Sequence, residues 1–262
     1  MRIAVGIEYD GSQYRGWQLQ QKGVESIQEK VEAALSFVAN HPVRVQCAGR
    51  TDAGVHATSQ VAHFDTDAVR TDQAWVLGAA TRLPSDITLR WAKSVPDEFS
   101  ARFSAFRRRY RYVIFNHKIR PGLFINQLTW NFRPLDVDLM REASRCLLGE
   151  QDFSSFRAVQ CQAKSPVRTV YRLDLFRHGN LIVMDIEANA FLHHMVRNIV
   201  GVLMSIGSGH RPVEWVKHVL DVKDRTQGGV TAPPYGLYFV GVSYPEQFAI
   251  PSDYTPINFL PD

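Results

Sequence analysis

Residues 49–56 read Gly-Arg-Thr-Asp-Ala-Gly-Val-His, so eight positions bring together a carboxylate (Asp52), a guanidinium (Arg50), a hydroxyl (Thr51) and an imidazole (His56) between flanking glycines. Glycine on both sides of a short polar segment lets the backbone turn tightly and approach a ligand closely. A carboxylate on such a turn suits nucleophilic chemistry if it stays ionised while partly buried. Burial alone disfavours the charge, and a nearby guanidinium opposes that effect. Arg50 stands two residues from Asp52 and faces the same way only if the segment stays extended, so a second arginine from elsewhere is the alternative partner. An isolated Arg-x-Asp is more often a solvated ion pair on a surface turn. The density of reactive groups here favours a site.

The rest of the chain offers a partner for that site. Between Glu98 and Asp136 there is no acid, yet Arg102, Arg107, Arg108, Arg109, Arg111, Lys118, Arg120 and Arg133 fall among nine aromatic residues. Such a run is often only a solvated face. On a strand, however, Arg109 and Arg111 share one face while Arg108, Tyr110 and Tyr112 share the other, so one face can be core while the other meets phosphates. A second acid-free span, 153–173, adds Arg157, Lys164, Arg168 and Arg172. Near the N-terminus, Trp17 lies among Arg15, Gln18, Gln20, Gln21 and Lys22, which reads either as a long connection or as a finger offering base stacking and phosphate attraction. Nucleic acid is the polyanion this pattern fits best.

Charge is unevenly placed. Residues 1–104 carry 11 Lys/Arg against 12 Asp/Glu, and residues 105–262 carry 19 against 14, so the positive field belongs to the second part. At 262 residues the chain suits one large or two modest domains, and 45% hydrophobic residues can fill their cores. Cys47, Cys146 and Cys161 are odd in number and widely spaced, which suggests neither a disulfide framework nor a cysteine zinc site and fits a reducing cytoplasm. An acid at Glu8 interrupts any signal-peptide core, and no stretch approaches the roughly 18 apolar residues of a membrane span. The adjacent His193 and His194, read as helical, would point about 100° apart, without an H-E-x-x-H pattern. No metal and no cofactor are expected, since phosphate-loop and dinucleotide fingerprints are also missing.

The elements that must position these groups follow from periodicity. Ile3, Val5, Ile7 and Tyr9 alternate as a strand ending at Asp10-Gly11. Ser26 and Glu29 form a capping box before Ile27, Val31, Ala34, Leu35 and Val38, predicting a helix to about Asn40. Val43, Val45 and Cys47 read as a strand running into the acid segment; a strand over 59–66, a helix over 73–82 and a strand over 87–95 complete the first half. That order matches the ferredoxin-like split βαβ arrangement. The second half reads similarly: strand 108–116, helix 136–148 closed by Gly149, a hairpin of 169–177 and 181–187, helix 191–206, a short helix 212–220 and a last strand 237–244. The expected domains are therefore 1–104, with the acid loop, and 105–262, with the basic surface. Within helix 191–206, Arg197 lies beside the stripe Leu192, Val196, Ile199, Val200 and Leu203, and taken alone reads as a snorkelling surface arginine.

The segment GRTDAGVHA resembles the signature of the tRNA pseudouridine synthase A family, and the resemblance runs most of the chain. It includes Tyr9-Asp10-Gly11, Gly16-Trp17-Gln18, Gln60-Val61-Ala62-His63-Phe64, Arg109-Tyr110-Arg111-Tyr112, the stretch from Phe191 through His193, His194 and Arg197 to Asn198, Ala232-Pro233 and Gly236-Leu237. Ser59 stands where the family is expected to carry glycine. The resemblance implies an α+β pseudouridine synthase fold, two ferredoxin-like (RRM-like) halves with antiparallel sheets side by side around a central cleft. It implies an isomerase that converts uridine to pseudouridine at positions 38, 39 and 40 of the tRNA anticodon stem-loop, and a cytoplasmic homodimer. By the same resemblance Asp52 is the nucleophile, Tyr110 stacks on the target base and Arg197 is a second cation for Asp52. Trp17, Arg109, Arg111 and His56 are the further expected substrate contacts. The rival is a catalytically silent RNA-binding module, which leaves the acid segment unexplained. A glycoside hydrolase would need a second paired carboxylate, and only Asp65 and Asp67 lie near.

Overall fold

The computed structural model describes residues 1–21, 23–251, 254 and 256–257, so Lys22 of the Trp17 segment lies outside the described residues. The chain forms two compact units, Met1–Phe106 with Tyr238–Asp262, and Arg107–Leu237. In chain order the elements are β1 (Arg2–Tyr9), α1 (Ile27–Ala39), β2 (Gln46–Cys47), β3 (His56–Asp65), α2 (Asp72–Ala80) and β4 (Ile87–Val95). There follow β5 (Arg107–Asn116), β6 (Thr129–Asn131), α3 (Val137–Ser144), β7 (Gly149–Asp152), β8 (Val167–His178), β9 (Leu181–Ala188), α4 (Met195–Gly207), α5 (Trp215–Val222) and β10 (Leu237–Ser243). The class is α+β, as the sequence indicates. From Tyr238 onward β10 belongs to the first unit, whereas chain order alone leaves it with the second.

In the first unit β1 lies between β3 and β4 and is antiparallel to both. The far edge of β3 is shared. β2 pairs with it antiparallel at Ala62 and His63, and β10 runs parallel to it at His56 and Ala57. The two-residue β2 is shorter than the alternation of Val43, Val45 and Cys47 suggests: Val43 and Val45 are buried without joining the sheet. Helix α1 starts where expected, with the Ser26 hydroxyl accepting the Glu29 N–H (3.3 Å), a cap worth about 1 kcal/mol. It stops at Asn40, which takes a left-handed conformation (φ 60°). Ile27, Val31 and Leu35 are fully enclosed, and Trp75 of α2 meets Phe64 of β3 edge-on at 5.1 Å.

In the second unit β5, β9, β8 and β7 form an antiparallel sheet in that order, with β6 parallel to the end of β5. Helix α3 packs on α4 and β8. It is shorter than periodicity predicts, because its last turn tightens into a 3-10 turn (Arg145–Leu147) and Gly149, at φ 79°, opens β7. Helix α4 starts at Met195 rather than 191. Its N-cap His194 is left-handed (φ 62°), so the helix begins only after the two histidines. Among the described residues no helix is long and apolar enough to cross a membrane.

One buried imidazole makes the first unit sensitive to acid. His63 is 3% exposed, and its Nδ1 accepts the Ala101 N–H (3.1 Å). Burial first, and then the charge of Arg2, hold its pKa below the usual imidazole value. The unfolded chain therefore takes up the proton first as pH falls, and stability declines from about pH 6.5 downward until the folded imidazole also titrates. The variant His63→Gln, examined by denaturant unfolding between about pH 7 and about pH 5, should show a flatter stability profile than the parent. Equal slopes would assign the dependence to other groups.

Candidate active site

The turn carrying Asp52 is held mainly through its backbone. The Asp52 carbonyl accepts the Val55 N–H (3.1 Å), and Gly54 takes φ 78° to close the turn. The Thr51 carbonyl accepts the Trp17 N–H (2.9 Å), and the Tyr14 carbonyl accepts the Gly54 N–H (3.3 Å). Gly16, at φ 97°, lies so close that a Cβ there would be 2.7 Å from the Thr51 oxygen. At Gly11 a Cβ would lie 1.9 Å from the Val55 oxygen. The result is a half-buried carboxylate on a turn fixed against the 11–17 segment.

Three expected roles in this unit need correction. Trp17 is 2% exposed and packs with Tyr9 at 6.0 Å between ring centres, so the 12–21 segment is built on a core tryptophan rather than a stacking finger. Burying that indole outweighs displaying it, because an aromatic of its size removes about 150–250 Å² of surface from water. His56 opens β3 at 2% exposure. Its ring stacks on Tyr238 at 4.7 Å, and Nδ1 accepts the Gly11 N–H (3.1 Å), so it braces the end of β1 instead of facing a substrate. Arg50 is exposed and, among the described residues, makes no hydrogen bond or ion pair. It is not the partner of Asp52 here. Its charge is felt at Cys47, whose thiol burial pushes up to about 12 against the opposing pull of Arg50.

In the second unit the strand parity of β5 holds, but its arginines are engaged. Arg109 donates through Nε and Nη2 to the two oxygens of Asp185 (2.7 and 2.6 Å), and Arg111 donates through Nε to one of them (2.9 Å). Asp185 sits opposite Arg111 in the β5–β9 register and is fully buried. Burial opposes its ionisation, but hydrogen bonds from Arg109 and Arg111, with their charges, outweigh burial and hold its carboxyl below the usual carboxylate range. Arg109 and Arg111 are thus parts of an internal ion triad rather than open phosphate contacts. An acid inside the apolar run Val183-Met184-Asp185-Ile186 was the sequence signal for that triad.

Tyr110 is 9% exposed and meets Phe191 edge-on at 5.0 Å. Tyr112, behind it on the same face, donates to the Pro233 carbonyl (2.7 Å) and lies 2.6 Å from the Thr129 hydroxyl. Arg197, in the first turn of α4, is half-buried, and its Nε donates to the Ala232 carbonyl (2.8 Å). The Arg197 carbonyl accepts the Ala232 N–H in return (3.1 Å). The neighbouring Asn198 donates to the Phe156 carbonyl (2.7 Å) and accepts from Arg225 (3.0 Å) and Thr231 (2.7 Å). Sequence reasoning included Asn198 in the resembling stretch but gave it no role, although an amide inside an apolar helix stripe implies satisfied partners. The rings of His193 and His194 stand 4.0 Å apart, which corrects the divergent geometry expected of two helical neighbours.

Exposed basic and aromatic groups remain elsewhere in this unit. Asn116, His117, Lys118, Phe132, Pro134, Leu135 and Arg177 line an open cavity of about 380 Å³. Within it Arg177 is tied down, donating to Asn116 Oδ1 (3.0 Å) and the Leu135 carbonyl (2.7 Å). Its rim carries Lys118 and Phe132, with Arg133 over the Phe132 ring at 5.5 Å.

Comparison with known proteins places these units in a family. A family model described as tRNA pseudouridine synthase matches residues 6–104 and 143–245. A tRNA pseudouridine synthase A from Pseudomonas aeruginosa is 60% identical over 259 residues, covering 99% of this chain and 91% of the relative. Its counterpart from Alcanivorax borkumensis is 58% identical over 261 residues, covering 100% and 98%, and that from Shewanella amazonensis is 56% identical over 262 residues, covering both completely. Among solved structures, a chain of an archaeal box H/ACA sRNP Nop10-Cbf5 complex is 12% identical at a TM-score of 0.35, with 77% of this chain and 43% of that chain covered. One of a Cbf5-Nop10-Gar1 complex is 11% identical at 0.36, with 90% and 48% covered, so the chain spans under half of either. The chain belongs to the tRNA pseudouridine synthase family. It is an isomerase acting on tRNA, converting uridine to pseudouridine.

The ion triad yields a stability prediction. Replacing Asp185 with Asn leaves two largely buried guanidinium groups without their carboxylate, a change that costs about 3–5 kcal/mol in comparable buried pairs. Urea unfolding of Asp185→Asn should show a loss of that order. A loss under about 1 kcal/mol would mean that water reaches the triad.

Proposed function

We propose that the chain isomerises uridines 38, 39 and 40 in the anticodon stem-loop of tRNA, with Asp52 as the nucleophile. The observation that carries this reading is a half-buried carboxylate on a turn whose backbone is held by the 11–17 segment. The reaction breaks the C1′–N1 bond, rotates the retained uracil and joins C1′ to C5; C5 gives up its proton and the freed N1 takes one up, so the product has the composition of the substrate. One carboxylate suffices for this chemistry. Asp52 attacks the sugar C1′ or the uracil C6, or takes part in a glycal route by proton transfer; the three routes share the same requirement for a fixed, ionised acid. The nucleotide leaves its stack first, at a cost of a few kcal/mol that contacts to the RNA backbone offset.

In this reading Tyr110 stacks on the target base and Arg197 supports the ionised Asp52, as the family resemblance implies. Arg50, exposed on the acid segment, takes a backbone phosphate beside the target instead of pairing with Asp52. With Arg109 and Arg111 engaged by Asp185, the tRNA grip passes to the exposed rim formed by Lys118, Phe132 and Arg133, where a cation and an aromatic face serve phosphate and base together. A cytoplasmic homodimer belongs to the same reading and is testable by sedimentation of the purified protein.

Two outcomes test the proposal. Asp52→Asn should bind unmodified tRNA like the parent while losing at least about 10³-fold in tritium release from C5-labelled uracil, the size of effect expected when a nucleophile is removed. Retained release would move the chemistry elsewhere, and no release even from the folded parent would favour a silent RNA-binding module. The double variant Lys118→Ala/Arg133→Ala should weaken tRNA binding and lower the slope of log affinity against log salt by about 2, one for each lost phosphate contact. An unchanged slope would remove the rim from the interface.

A further inference from the structure

Beneath the acid turn lies a buried hydrogen-bond chain. Gln60, on β3, is fully buried, and its Nε2 donates to the Gly49 carbonyl at 2.6 Å and makes a longer 3.5 Å contact to the Tyr9 hydroxyl oxygen. Tyr9, at the end of β1, is 3% exposed, and its oxygen lies 2.7 Å from Thr51 Oγ1. Thr51 is 7% exposed and immediately precedes Asp52. The amide orientation is fixed, because turning it over would set Gln60 Oε1 against the Gly49 oxygen. With both Nε2 hydrogens directed at Gly49 and Tyr9, the Tyr9 hydroxyl hydrogen is left for Thr51. Burial raises the Tyr9 pKa, which keeps it a donor.

The chain has a cost that packing alone would not require. Gln60 Oε1 is buried and, among the described residues, has no hydrogen-bond partner. An unsatisfied buried acceptor is destabilising, and an apolar side chain of similar volume would avoid it. What the amide provides is a donor at the Gly49 carbonyl, three residues before the acid. Thr51 is held at its side chain by Tyr9 and at its carbonyl by Trp17. The main chain just ahead of Asp52 is thereby pinned at two residues.

We infer that Tyr9, Thr51 and Gln60 are positioning residues for the isomerisation, fixing the backbone so that the Asp52 carboxylate holds its line of attack on the extruded nucleotide. The inference rests on the reading of Asp52 as nucleophile. None of the three touches the reacting atoms; they act through the turn. A reacting group displaced by about 1 Å costs on the order of 10²-fold in rate, whereas affinity for tRNA depends on surfaces elsewhere.

The test is single-turnover pseudouridine formation at saturating tRNA, well below each variant's melting temperature, with tRNA affinity measured separately. Thr51→Val, which keeps the volume and removes the hydroxyl, and Tyr9→Phe should each lose about 10- to 100-fold in the single-turnover rate at unchanged tRNA affinity. Thr51→Ser, which restores the hydroxyl, should recover most of the rate. A purely structural role would lower the melting temperature and leave the single-turnover rate of the folded protein at the parental value. That result in Thr51→Val, with Asp52→Asn inactive, overturns the inference while leaving the nucleophile in place. Activity in Asp52→Asn would instead overturn the reading on which it rests. Should Tyr9→Phe fail to fold, the comparison of Thr51→Val with Thr51→Ser decides alone.

Discussion

The structure around the acid turn depends on one constraint, the need of the first N–H groups of α1 for acceptors. A helix start leaves such groups unsatisfied within the helix. Here the Ile27 N–H goes to the Gly16 carbonyl (3.2 Å) and the Gln28 N–H to the Trp17 carbonyl (2.9 Å). The same peptide segment turns its Trp17 N–H to Thr51. Helix, tryptophan and acid turn are therefore one thread of main-chain bonds. Gly16 allows it, since its left-handed φ and the close Thr51 oxygen both exclude a side chain. Trp17 is buried for the same reason: its backbone serves on both sides, and its ring closes the space beneath.

Charge counting and charge placement diverge in the second unit. The eight basic residues between Glu98 and Asp136 suggest a strongly positive face, yet two of the strand arginines serve a buried aspartate, and Arg107 pairs with Glu187 at 3.0 Å while lying over the Tyr171 ring. Arg108 donates to the Asn189 carbonyl at 3.0 Å. The positive field offered to a polyanion thus shifts from the regular strand to the irregular segment after it. A cation already paired with a buried carboxylate has little potential left for phosphate, whereas a surface cation such as Lys118 keeps its long-range attraction, screened only by salt.

The legible parts of the sequence were those with a local cause. The Ser26 cap, the alternation of 87–95 and the apolar run of β5 set their elements to within a residue or so, because caps and pleat parity act over a few neighbours. The Asp52 turn was legible from its glycines. What was not legible depended on contacts distant in sequence. The burial of Trp17 and His56 requires Thr51 and Tyr238, and the withdrawal of Arg109 and Arg111 requires Asp185, more than 70 residues on. The short strands β6 and β7 have too few residues to show a period. The early breaker of α4 is a left-handed histidine, a conformation that few non-glycine residues take even though histidine is among the types enriched there.

Both units hold a candidate catalytic group by the same physical means. In the first, Gly16 lets one peptide segment lie against the Asp52 turn. In the second, Gly201 of α4 lets the 228–232 segment press so closely that a Cβ would stand 1.9 Å from the Val230 oxygen. That approach brings Ala232 to Arg197, where the paired bonds between them set the direction of the guanidinium through its Nε. Side chains alone, with several rotors each, would hold an acid and an arginine only loosely. Backbone packed on backbone through a glycine removes that freedom before any substrate arrives, so less ordering is left for the moment of reaction. The glycines of this chain are therefore part of how its ionic groups are aimed.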